Sequence, residues 1–241
     1  MARILCIETG TDICSAAIAQ DGEVVALRES PPDRDHARNL APFINELLRG
    51  AGLQAGQLEA VAVGMGPGSY TGLRIGVSLA KGICYGLEIP LVGVGSLRSL
   101  ARMAREELRQ GQRGPAPTEP GLTLLCPMID ARRMEVYSAV FDWQLDALTP
   151  VGAHIIDKDS FAGMIPATSA QGEFVIFGDG ASKCVGVLPP HVRHIEVSPS
   201  ARGLAVDAEE AFRLGRFEDV AYFEPFYLKD FVVTTTRKKM F

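Results

Sequence analysis

The chain has 241 residues, 47% of them hydrophobic, so it has enough apolar material for one large domain or two small ones. Its 24 basic and 29 acidic side chains give a net charge of −5, which argues against a protein that holds nucleic acid by its own positive surface. No apolar run reaches the roughly 18–20 residues of a membrane-spanning helix, and the N-terminus lacks the pattern of a signal sequence. We therefore expect a cytoplasmic protein with no membrane segment.

The five cysteines form no CxxC pair, and their number is odd. Most of them lie within apolar runs, which fits reduced, packed thiols better than a disulfide framework or a zinc site. We expect no redox chemistry, no bound metal and no cofactor. The cysteines are Cys6, Cys14, Cys84, Cys126 and Cys184.

The first half of the chain predicts three strands, followed by helices and strands in alternation. The Asp21-Gly22 dipeptide between the second and third strands is a hairpin signal. Apolar residues at i, i+3, i+4, i+7 and i+8 from Leu40 predict an amphipathic helix, which begins or bends near Pro42. The order is βββαβαβ, with strands Arg3–Thr9, Cys14–Gln20 and Glu23–Glu29, helix His36–Arg49, strand Glu59–Met65, helix Thr71–Tyr85 and strand Leu91–Val94.

A similar order starts again after a Pro- and Gly-rich break at 111–121, of the kind that separates domains. A predicted helix, Ser96–Gln110, precedes this break. The predicted elements after it are strands Leu122–Ile129, Met134–Asp142 and Pro150–Ile156, short helix Ser160–Ile165, strand Phe174–Gly178 and helix Ala201–Leu214.

Two halves with the same βββαβα order indicate an internal duplication and an α/β fold, each half a mixed sheet with helices packed on it. We expect an N-terminal lobe at 1–105, a C-terminal lobe at 106–225 and a tail at 226–241. The aromatic-rich stretch 217–231 should dock on a domain, and the last residues, 234–241, should fray.

A glycine-rich segment, Gly64–Gly72, lies between a strand and a helix, where backbone N–H groups and the helix dipole favour anions. It fails the sharper tests for phosphate binding. A Walker loop has Lys and then Ser or Thr after its last glycine, whereas Leu73 and Arg74 stand here. The acidic residue of a dinucleotide fingerprint is also missing from the end of the next strand. We interpret the segment as a tight turn, with Ser69 or Thr71 capping the helix.

The helix that follows is apolar on more than one side. Gly72, Gly76 and Ala80 recur every four residues and form a smooth ridge on which another element can approach closely. Each glycine inside a helix costs about 1 kcal/mol relative to alanine, so such a ridge calls for a compensating contact. That contact is either close packing within the domain or a helix-mediated subunit interface, and composition does not choose between them.

Few residues suggest catalysis. His191 and His194 lie in a Pro-flanked stretch with no third metal ligand, and no nucleophile elbow is present. Asp130 and Asp179 follow predicted strands, at positions where α/β proteins bind ligands, but turns also explain them. A rival hypothesis is a small-molecule kinase or ATPase that binds a nucleotide between the lobes through Glu8, Thr9, Thr11 and Asp179.

Five segments together resemble the bacterial TsaB (YeaZ) family: ILCIETGTDICSAAIA, HARNLAPFINELL, GMGPGSYTGLRIGVSLAKGICYG, MIDARRMEVYSAVF and PFYLK. The resemblance implies two ribonuclease H-like lobes of the actin/Hsp70/sugar-kinase type. It also implies a role in making N6-threonylcarbamoyladenosine (t6A) beside the anticodon of tRNAs that read codons beginning with A. Proteins of this family are not the transferase. They bind the catalytic subunit TsaD, which takes the threonylcarbamoyl group from an adenylate made by TsaC, and the ATPase TsaE is a further partner.

The sequence departs from the catalytic relative in ways that fit this division of labour. Where that relative has a metal-binding HxxxH pair, this chain has His36 and then Leu40. Glu8 and Gly10 replace residues of the family's usual Asp-Thr-Ser, which makes nucleotide use less expected. The resemblance also implies that tRNA is contacted only through the complex.

By resemblance, the first two helices form the surface for TsaD or for a second copy of this chain in a homodimer. This selects the interface interpretation of the glycine ridge. The residues predicted to bind the partner are Leu40, Phe43, Leu47, Gly72, Leu73, Gly76, Val77 and Ala80.

Overall fold

The computed structural model describes residues 2–168 and 171–229. Its strands form two five-stranded mixed sheets, one in each lobe. The strands are β1 Arg3–Glu8, β2 Ser15–Gln20, β3 Glu23–Glu29, β4 Ala60–Gly66, β5 Leu91–Gly95, β6 Thr123–Asp130, β7 Glu135–Ser138, β8 Gly152–Ile155, β9 Glu173–Phe177 and β10 Arg193–His194. The α-helices are α1 His36–Gly50, α2 Tyr70–Leu87, α3 Ser96–Arg109 and α4 Ala205–Arg213.

The N-terminal sheet has the strand order β3-β2-β1-β4-β5. Strand β1 pairs with β2 in antiparallel and with β4 in parallel orientation. Because side chains alternate along a strand, Leu5 and Ile7 face the core under α1 and α2, whereas Ile4 and Cys6 face the opposite core. Both faces of this sheet are therefore covered.

The C-terminal sheet has the order β10-β9-β6-β7-β8 and repeats the central arrangement. Strand β6 pairs with β7 in antiparallel and with β9 in parallel orientation, as β1 does with β2 and β4. The predicted duplication of two ribonuclease H-like lobes is thus confirmed.

Helices α3 and α4 each pack on the lobe opposite to the sheet that precedes them in the chain. The predicted lobe boundaries at 105 and 225 do not take account of this arrangement. Helix α3 packs Leu100, Ala104 and Leu108 into the core of the C-terminal sheet. Helix α4 packs Ala205 and Ala208 on the outer face of the N-terminal sheet, although it follows the C-terminal sheet in the chain. Within residues 2–168 and 171–229 the chain therefore crosses between the lobes three times, because the segment after α4 reaches the C-terminal lobe again at Leu228.

Local differences from the predicted elements are small. Residues 158–164 form turns and not a short helix. Strand β7 ends at Ser138, and beyond it Phe141 forms isolated bridges with Leu125 and Ala147. Helix α1 begins at His36 and continues through Pro42 to Gly50. No helix in 2–168 or 171–229 is long and apolar enough to cross a membrane.

Residues 216–229 form a segment that we call the C-terminal strap. Its buried Phe223 belongs to the core under α1 and α2, and Leu228 packs against the core of the C-terminal lobe. The prediction that this aromatic stretch docks on the protein is confirmed for the described residues. Phe231 and the predicted frayed end, 234–241, lie outside them.

Candidate functional site

The two candidate regions lie on opposite sides of α2. One is the end of β1, where the rival hypothesis has Glu8, Thr9 and Thr11 bind a nucleotide. We call it the strand-end site. The other is the surface between α1 and α2, where the partner was predicted to bind.

Glu8 is completely buried at the end of β1. Its Oε1 accepts a hydrogen bond from the Gly10 N–H at 2.8 Å, and its Oε2 accepts one from the Ser96 hydroxyl at 2.9 Å. The same hydroxyl accepts from the Gly66 N–H at 3.3 Å, so Glu8 links β1 to β4 and to the first residue of α3. A Cβ at Gly64 would overlap the Glu8 carboxyl group, which shows how closely the site is filled.

Burial raises the pKa of Glu8 above its ordinary value, and the hydrogen bonds from Gly10 and Ser96 oppose the shift. The carboxyl group has no exposed edge through which it could bind a hydrated metal ion or activate a water molecule.

Thr9 holds α2 close to β1. Its hydroxyl donates to the Gly72 carbonyl at 2.8 Å. A Cβ at Gly72 would overlap the Thr9 carbonyl oxygen, and one at Gly76 would overlap the Thr9 hydroxyl. The glycine ridge therefore compensates for its helix cost by packing against the end of this chain's own first strand, which is the first of the two contacts that composition left open.

Thr11 lies beside His36, the first residue of α1. The Nε2 atom of His36 donates to the Thr11 carbonyl at 2.8 Å. The Thr11 hydroxyl oxygen and Nδ1 of His36 are both buried, and neither has a hydrogen-bond partner among the described residues. Thr11 is 5% exposed, so it too is largely removed from solvent.

The acidic residues between the lobes are mostly paired with bases. Asp12 accepts from Arg34 at 2.7 Å, and Asp130 forms an ion pair with Lys183. Asp179 accepts from the Asp130 backbone N–H at 3.2 Å. Although Asp179 as a residue is exposed, loss of hydration around its carboxyl group raises its pKa to about 6, and the Asp130 and Asp12 charges act in the same direction.

Residues 2–168 and 171–229 contain no group of three or more His, Cys, Asp or Glu side chains arranged to hold a metal ion. Glu8, Thr9 and Thr11 are buried, whereas Asp179 is exposed. The four residues of the rival nucleotide hypothesis are therefore divided between a sealed interior and the interlobe surface.

The α1–α2 groove is open and mainly apolar. It encloses about 840 Å³ and is lined by Ala37, Leu40, Ala41, Tyr70, Thr71, Arg74, Ile75, Ser78 and Leu79. Small side chains of α1 form one side, and the outward face of α2 forms the other. Among these lining residues, Arg74 is the one that carries a formal charge.

Arg74 and Tyr70 form an ordered pair at the edge of the groove. Nη1 of Arg74 donates to the Tyr70 hydroxyl at 2.9 Å, and the guanidinium lies 5.3 Å from the Tyr70 ring centroid. On its other side, Tyr70 contacts Tyr227 of the C-terminal strap, with ring centroids 4.8 Å apart. The groove edge is therefore held in place by aromatic contacts.

A family model described as TsaD, tRNA N6-adenosine threonylcarbamoyltransferase, matches residues 30–231. The tRNA threonylcarbamoyladenosine biosynthesis protein TsaB of Escherichia coli is 37% identical over 139 residues, which are 58% of this chain and 54% of that protein. The TsaB protein of Bacillus subtilis is 32% identical over 148 residues, 61% of this chain and 58% of that protein. The chain belongs to this family, in its TsaB (YeaZ) branch.

The matched region spans slightly more than half the length of these curated TsaB relatives. A solved structure of YeaZ from Pseudomonas aeruginosa has 24% sequence identity and a TM-score of 0.75, and the match covers 95% of this chain and 100% of that one. This likeness shows that the chain has the YeaZ fold, with its two similar lobes.

The TsaB resemblance predicted a partner surface on α1 and α2, and the structure shows how far the residues named for it are buried. Phe43 is half-buried, and the other seven predicted contact residues are buried in this chain, so they cannot be the main direct contacts of a partner. Leu40 is the one of the eight that also lines the groove. The seven buried residues are Leu40, Leu47, Gly72, Leu73, Gly76, Val77 and Ala80.

Most of the residues that line the groove were not predicted from the sequence, and they lie on the outward faces of the same two helices. Ile75 and Leu79 are four residues apart on α2 and only partly buried, whereas Ala37 and Ala41 stand in the same relation on α1 and are exposed. The sequence does contain a pattern that predicts this outward face. Helix α2 is apolar on more than one side, and only one side can face its own sheet.

Proposed function

We propose that this chain is a non-catalytic subunit of the t6A-forming complex, and that it binds a TsaD-type transferase through the α1–α2 groove. In that complex it supports transfer of the threonylcarbamoyl group to the adenosine next to the anticodon of tRNAs that read codons beginning with A. A TsaE-type ATPase is a further partner, and tRNA is contacted through the complex. The observation that carries the proposal is an open apolar groove on α1 and α2 beside a sealed strand-end site.

The groove fits a helical partner of the same general architecture. Its walls are two helices with Ala37 and Ala41 on one side and Ile75 and Leu79 on the other, so a partner helix can approach closely. Apolar surface of this kind gains free energy when water is removed from it. Arg74 adds a positive charge at the edge, which favours a partner with a carboxylate at the facing position.

The non-catalytic assignment rests on the strand-end site. Both Glu8 carboxylate oxygens accept hydrogen bonds from within the protein, and the residue has no exposed surface. Thr9 is occupied by α2. A phosphoryl-transfer enzyme of this fold would need carboxylate oxygens that reach a magnesium ion or a water molecule, and Glu8 offers neither.

The experiment is calorimetric titration of the chain with the TsaD-type subunit of the same organism. We expect binding, and we expect Arg74→Glu to weaken it at least about tenfold, because the substitution removes the positive charge and breaks the Tyr70 pair. Arg49→Glu reverses a charge at the exposed end of α1, outside the groove, and should leave the affinity unchanged. Mg-ATP titrated into the chain alone should give no binding heat.

Two results would contradict the proposal. Equal affinities of the wild type and Arg74→Glu for the TsaD-type subunit would show that the partner does not bind at the groove. Tight Mg-ATP binding with turnover by the isolated chain would instead support the rival kinase or ATPase function. Measuring the mass of the chain in solution, alone and with the partner, separates a homodimer that uses the same groove from a heterodimer.

A further inference from the structure

The C-terminal strap runs across the N-terminal lobe beside α2 and ends on the other lobe. The Glu218 N–H donates to the Leu91 carbonyl at 2.8 Å, which adds a bridge to the edge strand β5. Lys81 of α2 donates to the carbonyls of Ala221 and Phe223 at 3.1 and 3.0 Å. The strap is therefore fixed to α2 by backbone carbonyls and not only by its aromatic side chains.

The strap then passes the N-terminal end of α2, where the groove begins. The Phe226 N–H donates to the Met65 carbonyl at 2.7 Å, which places the next residue, Tyr227, against the Tyr70 ring. Tyr70 lines the groove and accepts the hydrogen bond from Arg74. Tyr227, Tyr70 and Arg74 thus form a continuous row from the strap to the charged edge of the groove.

The far end of the strap is anchored on the C-terminal lobe. Leu228 packs against the core that contains α3, and Lys229 forms an ion pair with Glu135 at the start of β7. Lys229 Nζ also lies 5.6 Å from the Tyr137 ring centroid. The row of side chains at the groove edge is therefore tied to both lobes.

We propose that the strap is part of the partner-binding surface, and that Tyr227 is a positioning residue that holds Tyr70 and Arg74 in the orientation the partner requires. This inference rests on the proposed function and assigns a role to Tyr227 of the PFYLK segment, for which the family resemblance implied none. The partner it fits is the transferase subunit, presenting an apolar helical face with a carboxylate opposite Arg74. The charge of Arg74, with no acidic residue lining the groove, is the complementarity that supports this choice.

The tilted contact with the Tyr227 ring restricts the Tyr70 ring before the partner arrives, so less conformational freedom is lost on binding. Without the Tyr227 ring, Tyr70 and Arg74 gain alternative rotamers, and the partner must then select one of them. The expected loss is a modest reduction in affinity, with no change in the chemistry of the transferase itself.

The test compares three variants of the whole chain by titration with the TsaD-type subunit. Tyr227→Ala should weaken binding about fivefold. Tyr227→Phe keeps the ring and should bind as the wild type does. Tyr222→Ala removes a strap tyrosine that is 84% exposed and should also leave the affinity unchanged.

A double-variant cycle separates positioning from a general loss of structure. If Tyr227 acts through the Tyr70–Arg74 pair, then Tyr227→Ala should have almost no further effect on affinity once Arg74 is replaced by Ala. Urea unfolding of each variant checks that the fold is retained. Full additivity of the two substitutions would overturn the inference, because it would mean that Tyr227 acts independently of Arg74.

Failure of this inference is distinguishable from failure of the proposed function. If the wild type binds the transferase subunit and Tyr227→Ala binds equally well, the role of the strap is overturned while the proposed function stands. If the wild type does not bind at all, the proposed function fails and the role of the strap fails with it.

Discussion

The strand-end site and the α1–α2 groove are built on the same helix and differ in what fills them. On the inward face of α2, the two ridge glycines admit Thr9 so closely that no side chain fits between them. On the outward face, Ile75 and Leu79 border a groove of about 840 Å³. The glycine-rich pattern that first suggested an interface is thus used for internal packing, and the apolar residues on the opposite face remain partly exposed at the groove.

This difference teaches that small residues indicate close approach without saying to what. A ridge of glycines fits a strand of the same chain as well as it fits a helix of another. The open face is recognised by a different observation, namely that the apolar side chains remaining after the core is packed are partly exposed. Substitutions on the two faces should therefore have different consequences, the first for stability and the second for binding.

The largest effect is expected from Gly72→Ala on the inward face. The added methyl group overlaps a backbone carbonyl that cannot move without shifting β1, so we expect the free energy of unfolding to fall by about 3 kcal/mol or more. Gly82→Ala is the matched control, because nothing lies within 4 Å of its Cβ position. That change should raise stability by up to about 1 kcal/mol, since alanine favours the helix.

Urea unfolding of both glycine variants measures the contrast. If Gly72→Ala were as stable as Gly82→Ala, the inward face of α2 would not be closely packed, and the glycine ridge would again be available to a partner.

A smaller effect, on binding alone, is expected from Ala41→Trp on the outward face. Ala41 is exposed, so the indole enters the groove without disturbing the core and occupies space that a partner helix needs. We expect the affinity for the TsaD-type subunit to fall about tenfold, or about 1.4 kcal/mol, with an unchanged urea midpoint. Unchanged affinity would show that the partner does not enter the groove.

Much of the fold could be predicted from the sequence because its signals are local. The Asp21-Gly22 turn and the apolar spacing of α1 placed β2, β3 and the first helix to within a few residues. The exchange of α3 and α4 between the lobes could not be predicted, because an apolar helix face carries no information about which of two similar sheets will cover it. The residues that line the groove could not be predicted for the same reason, because they depend on which face of α2 packs against β1.

The contacts of Tyr227 were equally out of reach. The aromatic composition of the strap predicted that it would dock, but the contact of Tyr227 with Tyr70 is positioned by the Phe226 hydrogen bond to Met65. That bond depends on the position of the β4 end, which is set by the sheet as a whole. Glu8 is a further case, because the sequence marked it as an unusual residue while its burial comes from β4 and the start of α3.

The smallest effect is the pH dependence that a sealed strand-end site should produce. The pKa of Glu8 in the folded chain lies above its ordinary value of 4.5, so between these two values the folded state binds a proton that the unfolded state has released. Stability should therefore fall as the pH rises through that interval. Asp179 acts in the same direction between its ordinary 3.8 and about 6.

Urea unfolding from pH 4 to pH 8 separates the two carboxyl groups. Glu8→Gln keeps an acceptor for the Gly10 N–H but loses the one for the Ser96 hydroxyl, which is a cost that does not depend on pH, and Asp179→Asn keeps an acceptor for the Asp130 N–H. The wild type should lose stability relative to Glu8→Gln as the pH rises from 4, so the change of this difference with pH is the quantity to measure. If the wild type and Glu8→Gln showed the same pH dependence, then Glu8 would titrate as it does in water. The strand-end site would in that case be open to solvent, as the groove is.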